Sequence, residues 1–317
     1  MLLPLLVVIA AGFFVVERLW PANALPRVRA WWPRVIFVNV IQAGLVLLAG
    51  LTWDRWLQAA SVFSLRERFG ESAGGLFAQG GVAYFISTFV YYWWHRWRHE
   101  SAFLWRLCHQ LHHSPARIEL VTSFYKHPVE ITINSIVGAT IVYALLGCSP
   151  AAGAIYTFLT AVAEYFYHWN IRTPRWVGRI VQRPESHRVH HQYMHHTQNY
   201  ADLPLWDALF GTYRNPHDSP ARCGFDDWRE DRFDDMLAFR DVHAPGAEKL
   251  SPLHLLPGCI GCAKRWACAE SRGVLDAPRP LAALVEVGGG RASSSGADQS
   301  PVRNRSSQLG SGNGEGA

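Results

Sequence analysis

The chain has 317 residues, a net charge of +5, and 14 Trp, 16 Phe and 11 Tyr, with a mean hydropathy close to zero. Its Arg residues flank apolar runs and form no stripe on a polar face, which argues against nucleic acid as the partner of the positive charge. The six Cys show no disulfide framework, because Cys108, Cys148 and Cys223 lie far apart, and that excludes a stapled secreted scaffold and fits a reducing compartment.

Five apolar segments follow in chain order, at about Met1–Val16, Val35–Thr52, Leu76–Trp94, Val129–Gly147 and Ala151–Tyr167. The first three are close to the ~20 residues that a spanning helix needs. Only Cys148-Ser149-Pro150 separates the last two, so they read as a helical hairpin that enters the membrane and returns to the same side. Tyr91-Tyr92-Trp93-Trp94 ends the third segment with amphipathic rings suited to the headgroup zone. A signal-peptide reading of the first segment, with Ala22-Asn23-Ala24 as the cleavage site, is disfavoured because no basic residue precedes the apolar run.

Charge asymmetry orients these segments. With the N-terminus outside, Arg18, Arg27, Arg29 and Arg34 fall inside, as do Arg96, Arg98, Arg106, Arg117 and Lys126, and later Arg172, Arg175, Arg179, Arg183 and Arg188. The outer loop 54–75 is balanced, with Arg55, Arg66 and Arg68 against Asp54, Glu67 and Glu71. This is the positive-inside pattern.

Three histidine clusters lie on that inner side. His95 and His99 are spaced HxxxH; His109, His112 and His113 are spaced HxxHH; His187, His190 and His191 repeat HxxHH. On helices these spacings bring each cluster to a shared face, and eight imidazoles suffice for two metal ions with positions left open. A structural zinc site would need four ligands and usually includes Cys, whereas imidazole-rich open sites suit iron that handles O₂. His168 ends the fifth segment four residues after Glu164, an ionisable pair expected to face the protein interior, so His168 is a ninth candidate ligand and Glu164 a ligand or a partner of one. His127, His195, His196 and Asp207 are further candidates for ligation or for support of the ligands. Asp202, Glu185 and Glu119 are other carboxylates that could orient imidazoles. His217, His243 and His254 read as surface residues, and His254 with Cys259, Cys262 and Cys268 makes a weak zinc alternative.

These boxes resemble the fatty acid hydroxylase/sterol desaturase superfamily, integral membrane non-haem di-iron enzymes. The resemblance runs from about Tyr91 to Pro216 and includes the two HxxHH boxes, His127-Pro128-Val-Glu130, His168-Trp-Asn170, Asn199-Tyr200-Ala-Asp202 and Trp206-Asp207-Ala-Leu-Phe210-Gly211-Thr212. It implies iron ligation by His95, His99, His109, His112, His113, His187, His190 and His191, with His168, and an all-α fold of about four to five transmembrane helices under a cytosolic His-rich cap. The cofactors so implied are two non-haem Fe ions, O₂ and an external electron donor. No His-Pro-Gly-Gly signature of cytochrome b5 is present, so that donor is expected to be a separate reductase, ferredoxin or cytochrome b5-like protein.

The expected function is O₂-dependent hydroxylation of a fatty acyl or sterol-like C–H bond. Desaturation at the same site, and a membrane metal-binding or transport protein, are the alternatives. The expected organisation is N-terminal transmembrane helices over 1–75, a catalytic domain over 76–216, a polar region over 217–287 and a disordered Gly- and Ser-rich tail over 288–317.

Overall fold

The computed structural model describes residues 2–193 and 195–243. The proposed zinc alternative around Cys259, and the tail beyond 288, lie outside the described residues. Within them the protein is helical with no strand, and one isolated bridge pairs Gln192 with Cys223.

Four helices are long and apolar enough to cross a membrane: α1 (Leu2–Leu19), α2 (Trp31–Gln58), α3 (Ala73–Glu100) and α5 (Pro128–Leu145). Between the last two, α4 covers 102–113 and includes a π-helical turn at Trp105–His109. α6 (Pro150–His168) returns beside α5, completing the hairpin expected from the sequence. Ser72 caps α3 and Ser149 caps α6 by accepting backbone N–H bonds from Gly75 and Ala152, and Pro150 occupies the first turn of α6, where a missing N–H costs nothing. Two shorter helices follow, α7 (Pro184–His190) and α8 (Pro204–Leu209).

The side chains sort by surroundings. Leu3, Val8, Val40, Leu47, Phe77 and Phe85 are exposed on the long helices, which is the expected face toward lipid. Ala83, Ile141, Val142, Ala152 and Tyr156 fill the seam between α3, α5 and α6. A second core joins the two polar ends of the chain. Trp31 and Val35 of α2 meet Trp105 and Leu111 of α4, Tyr125, and Phe225, Met236 and Val242 from beyond residue 217. The stretch 217–243 thus closes onto the cap through apolar side chains.

Buried carboxylates anchor the membrane helices to the cap. Glu17 of α1, with no exposed surface, accepts the backbone N–H of Leu120 at 3.0 Å and of Asn170 at 3.3 Å. Glu119 accepts the Trp31 indole N–H at 2.8 Å and pairs with Arg18 and Arg117. Phe13 stacks on Trp169 with ring centroids 4.0 Å apart. Glu230 accepts the Ala116 N–H at 3.3 Å, and burial pushes its carboxyl up to about 7.

Two consequences can be measured on detergent-solubilised protein. Glu17→Ala should lower unfolding stability by about 2 kcal/mol or more, since each buried N–H left without an acceptor costs ~1–3 kcal/mol. An unchanged melting temperature would remove Glu17 as an anchor. The raised Glu230 carboxyl makes the folded chain bind a proton that the unfolded chain has lost, so its contribution is greatest below about pH 4.5 and fades as pH rises to about 7. Glu230→Gln should therefore raise the melting temperature by a few degrees at pH 8, with the gap closing near pH 5.

Candidate metal centre

Nine imidazoles converge where the ends of α3 and α6 meet α4 and α7. They divide into two groups. His95, His99, His109, His113 and His190 form one, His112, His168, His187 and His191 the other, and within each group one ligand atom per residue lies within 4.8 Å of all the rest. The spacing explains the division. Residues at i and i+4 of a helix are offset by about 40°, whereas i+3 lies roughly 100° from i+4. Each HxxHH box consequently serves both groups. His109 and His113 enter the first group and His112 the second, while His187 and His191 enter the second and His190 the first. The sequence expectation of one shared face per box is corrected to this reciprocal exchange. The π-helical turn Trp105–His109 widens the helix just ahead of the second box, a distortion frequent at functional sites.

The donor chemistry fits a metal. His95 offers Nδ1 to the Tyr200 carbonyl at 2.7 Å, and His109 has Nδ1 3.1 Å from Glu130 Oε2. His168 offers Nδ1 to the Glu164 carbonyl at 2.9 Å, and His190 to the Gln198 carbonyl at 2.7 Å. A neutral imidazole that spends its one proton on Nδ1 presents a lone pair at Nε2. Yet the Nε2 atoms of His95 and His109, both rings with Nδ1 turned to an oxygen, stand 3.1 Å apart. Nε2 of His190 is buried without a hydrogen-bond partner. Lone pairs packed this way repel unless a cation lies among them. Protonation offers no relief, because burial, followed for several of them by neighbouring positive charge, holds His109, His112, His113, His187 and His191 well below the usual imidazole range and brings His190 down to about 3.

The remaining candidates fall around these groups. Glu164 pairs with Lys126 Nζ at 2.5 Å and holds its other oxygen 3.7 Å from His168 Nδ1. His196 Nδ1 is 3.1 Å from His113 Nδ1. His195 turns away to Gln198 and Thr197, and His127 caps α5 by accepting the Val129 N–H. Asp207 reaches no histidine. It accepts the backbone N–H of Tyr200 and Ala201 at 2.8 and 2.9 Å and the Thr212 hydroxyl, and so fixes the loop whose carbonyl holds His95. Glu119 and Glu185 likewise serve Arg residues and backbone rather than imidazoles. His217 is exposed beside Asp218, whereas His243, expected at the surface, is half-buried with its ring 4.3 Å from Phe225.

Sequence reasoning did not single out Glu130, or the backbone carbonyls of Gln198 and Tyr200 in the loop 195–202, as supports. Glu130 is fully buried in the first turn of an apolar helix, where it also pairs with Arg98, and its isolation in that helix is the signal that points to it. In the loop, Gln198 and Asn199 adopt left-handed backbone with φ of 67° and 48°, uncommon for residues other than glycine. Asn199 is locked there by bonds to the Ser186 carbonyl and the Arg214 N–H, and the Gln198 and Tyr200 carbonyls are thereby aimed at His190 and His95. No residue pattern announced that geometry.

A cavity of about 290 Å³ opens beside both groups, with His95, His109, His112, His168 and His187 in its wall. It continues among α2, α3, α5 and α6 to Gly153 and Tyr143. Along α6 that is the distance from His168 to Gly153, ~22 Å at 1.5 Å per residue.

Residues 81–212 match the fatty acid hydroxylase family. The chain is 28% identical over 138 residues to the sphingolipid C4-hydroxylase of Schizosaccharomyces pombe, covering 42% of this chain and 47% of that protein. It is 32% identical over 136 residues to the ornithine lipid hydroxylase of Rhizobium tropici, covering 41% and 40%. It is 30% identical over 129 residues to human alkylglycerol monooxygenase, covering 39% and 28%. The matched stretch spans about half the length of these relatives or less. No solved structure matches the chain.

The reciprocal exchange has a measurable signature. If the groups hold one metal each, His112→Ala should weaken the four-histidine group while His113→Ala, its neighbour, weakens the five-histidine group. Metal analysis should find about one tightly held ion per chain in His112→Ala, because three imidazoles remain where four stood. Indistinguishable losses from all three positions of the box would show that the box acts as a unit.

Proposed function

We propose that the chain, whose residues 81–212 match the fatty acid hydroxylase family, is a membrane-bound non-haem di-iron oxygenase that hydroxylates a C–H bond of a lipid. The observation that carries this reading is the opening of both imidazole groups onto one narrow cavity between membrane-spanning helices. His95, His99, His109, His113 and His190 would hold one iron, and His112, His168, His187 and His191 the other. Two iron ions there supply the O₂-dependent oxidation of an unactivated C–H bond, with electrons from a separate redox carrier.

The chain's own part is placement and protection. The cavity about 22 Å long has the proportions of a single alkyl chain, and its walls keep that chain out of water beside the histidines. Glu130 and the carbonyls of Tyr200, Gln198 and Glu164 hold the imidazoles in the Nδ1-protonated tautomer and aim each Nε2 at the centre. The Arg-rich inner loops support a cytoplasmic orientation of the cap. Hydroxylation is preferred to desaturation because the relatives named above are hydroxylases and a monooxygenase.

Comparative lipid mass spectrometry tests this reading in cells that express the chain or its His190→Ala variant at matched levels. A lipid that gains one oxygen only with the intact chain is the expected result, and His190→Ala should abolish that product while leaving membrane insertion unchanged. Identical lipid profiles across hosts supplying different donors and lipids would overturn the proposal, and a lipid losing two hydrogens would make the chain a desaturase.

A further inference from the structure

The cavity wall within the spanning helices is not uniformly apolar, as a channel for hydrocarbon alone would be. Asn134 on α5 has a fixed amide: its Oδ1 accepts the Trp94 indole N–H at 2.8 Å, and its backbone carbonyl accepts the Tyr91 hydroxyl at 2.5 Å. Nδ2 is thereby turned away from Trp94 and meets no acceptor among the described residues. Ser135 accepts the Trp53 indole N–H on Oγ at 3.1 Å, a bond that leaves its own O–H to donate elsewhere. Gln42 of α2 lines the same cavity with its Oε1 buried and without a hydrogen-bond partner. Two donors and one acceptor thus line the same cavity, and the acceptor, Gln42 Oε1, is unmet in the part of the protein where that is most costly.

We propose that Asn134, Ser135 and Gln42 form a polar station that binds the amide or hydroxyl group of a single-chain lipid inside the cavity. An amide answers all three groups: its carbonyl accepts from Asn134 and Ser135, and its N–H donates to Gln42. A hydroxyl can do the same with one oxygen. Tyr91, hydrogen-bonded to Asn134, lies one helical turn before His95, so the station is ~6 Å from the histidines along α3. The carbon atoms that face the metal groups are then those a few bonds from the polar group, and the rest of the chain extends toward Gly153. Position along the lipid is read from its polar group rather than from its far end. An unmet buried group costs ~1–3 kcal/mol, and a site built around such groups discriminates strongly against an analogue that lacks their partner. The inference rests on the reading of this cavity as the lipid channel.

Equilibrium binding to the iron-loaded, full-length protein under anaerobic conditions, where no turnover intervenes, separates the two readings. The probes are radiolabelled hexadecanamide, 1-hexadecanol and hexadecane. The amide and the alcohol should bind at least about tenfold more tightly than hexadecane. Asn134→Leu should erase that preference, and Gln42→Leu and Ser135→Ala should each narrow it, with metal content unchanged as the control for folding. Equal binding of the three probes to the intact chain would overturn the station, as would a preference that survives Asn134→Leu. A chain that takes up no iron on anaerobic reconstitution yet keeps the preference would sink the di-iron reading and leave the station standing.

Discussion

Nine imidazoles gathered with ring nitrogens about 3 Å apart favour positive charge among them, and this electrostatic demand organises the protein. Water cannot separate rings so closely packed, and protonation is blocked by the same burial that gathers them. Each hydrogen bond on the far side of a ring therefore has a function. A carbonyl or carboxylate at Nδ1 decides which nitrogen keeps the lone pair, and hence where a metal would be held.

The membrane helices meet that demand by geometry rather than by chemistry. α3 and α6 run side by side along the core formed by Ala83, Ala152 and Tyr156, and their ends deliver His95, His99 and His168 to one place. The cap then has to be held down over these ends. Glu17 of α1 does so by accepting backbone N–H groups of the cap, and Glu119 of the cap by accepting from Arg18 of α1 and Trp31 of α2. Burying a carboxylate is expensive without such partners, and with them it fixes two layers of structure at once.

Much of this was legible in the residue order. The apolar spans, the hairpin at Pro150 and the boxes themselves follow from length, turn chemistry and i, i+3, i+4 spacing, and His168 followed from the cost of an ionisable pair on an apolar helix. What spacing could not reveal is how a box divides. Both i+3 and i+4 count as neighbours on a helical wheel, and although about 100° separates them, spacing does not say which group His112 and His113 each join. The supports were hidden for another reason. Glu119, Glu185 and Asp207 have the right chemistry for orienting imidazoles, but backbone carbonyls of Gln198, Tyr200 and Tyr125 take much of that work, and a carbonyl is present at every residue. Its aim depends on the left-handed turn at Gln198 and Asn199, a conformation no side chain there demands.

The division of each box between the two groups also constrains how such a centre can change over generations. Lengthening or shortening α4 by one residue turns its later histidines by about 100°, which spoils both metal positions together. An insertion or deletion in either box therefore disturbs both groups at once, whereas a substitution at one of its histidines disturbs only one.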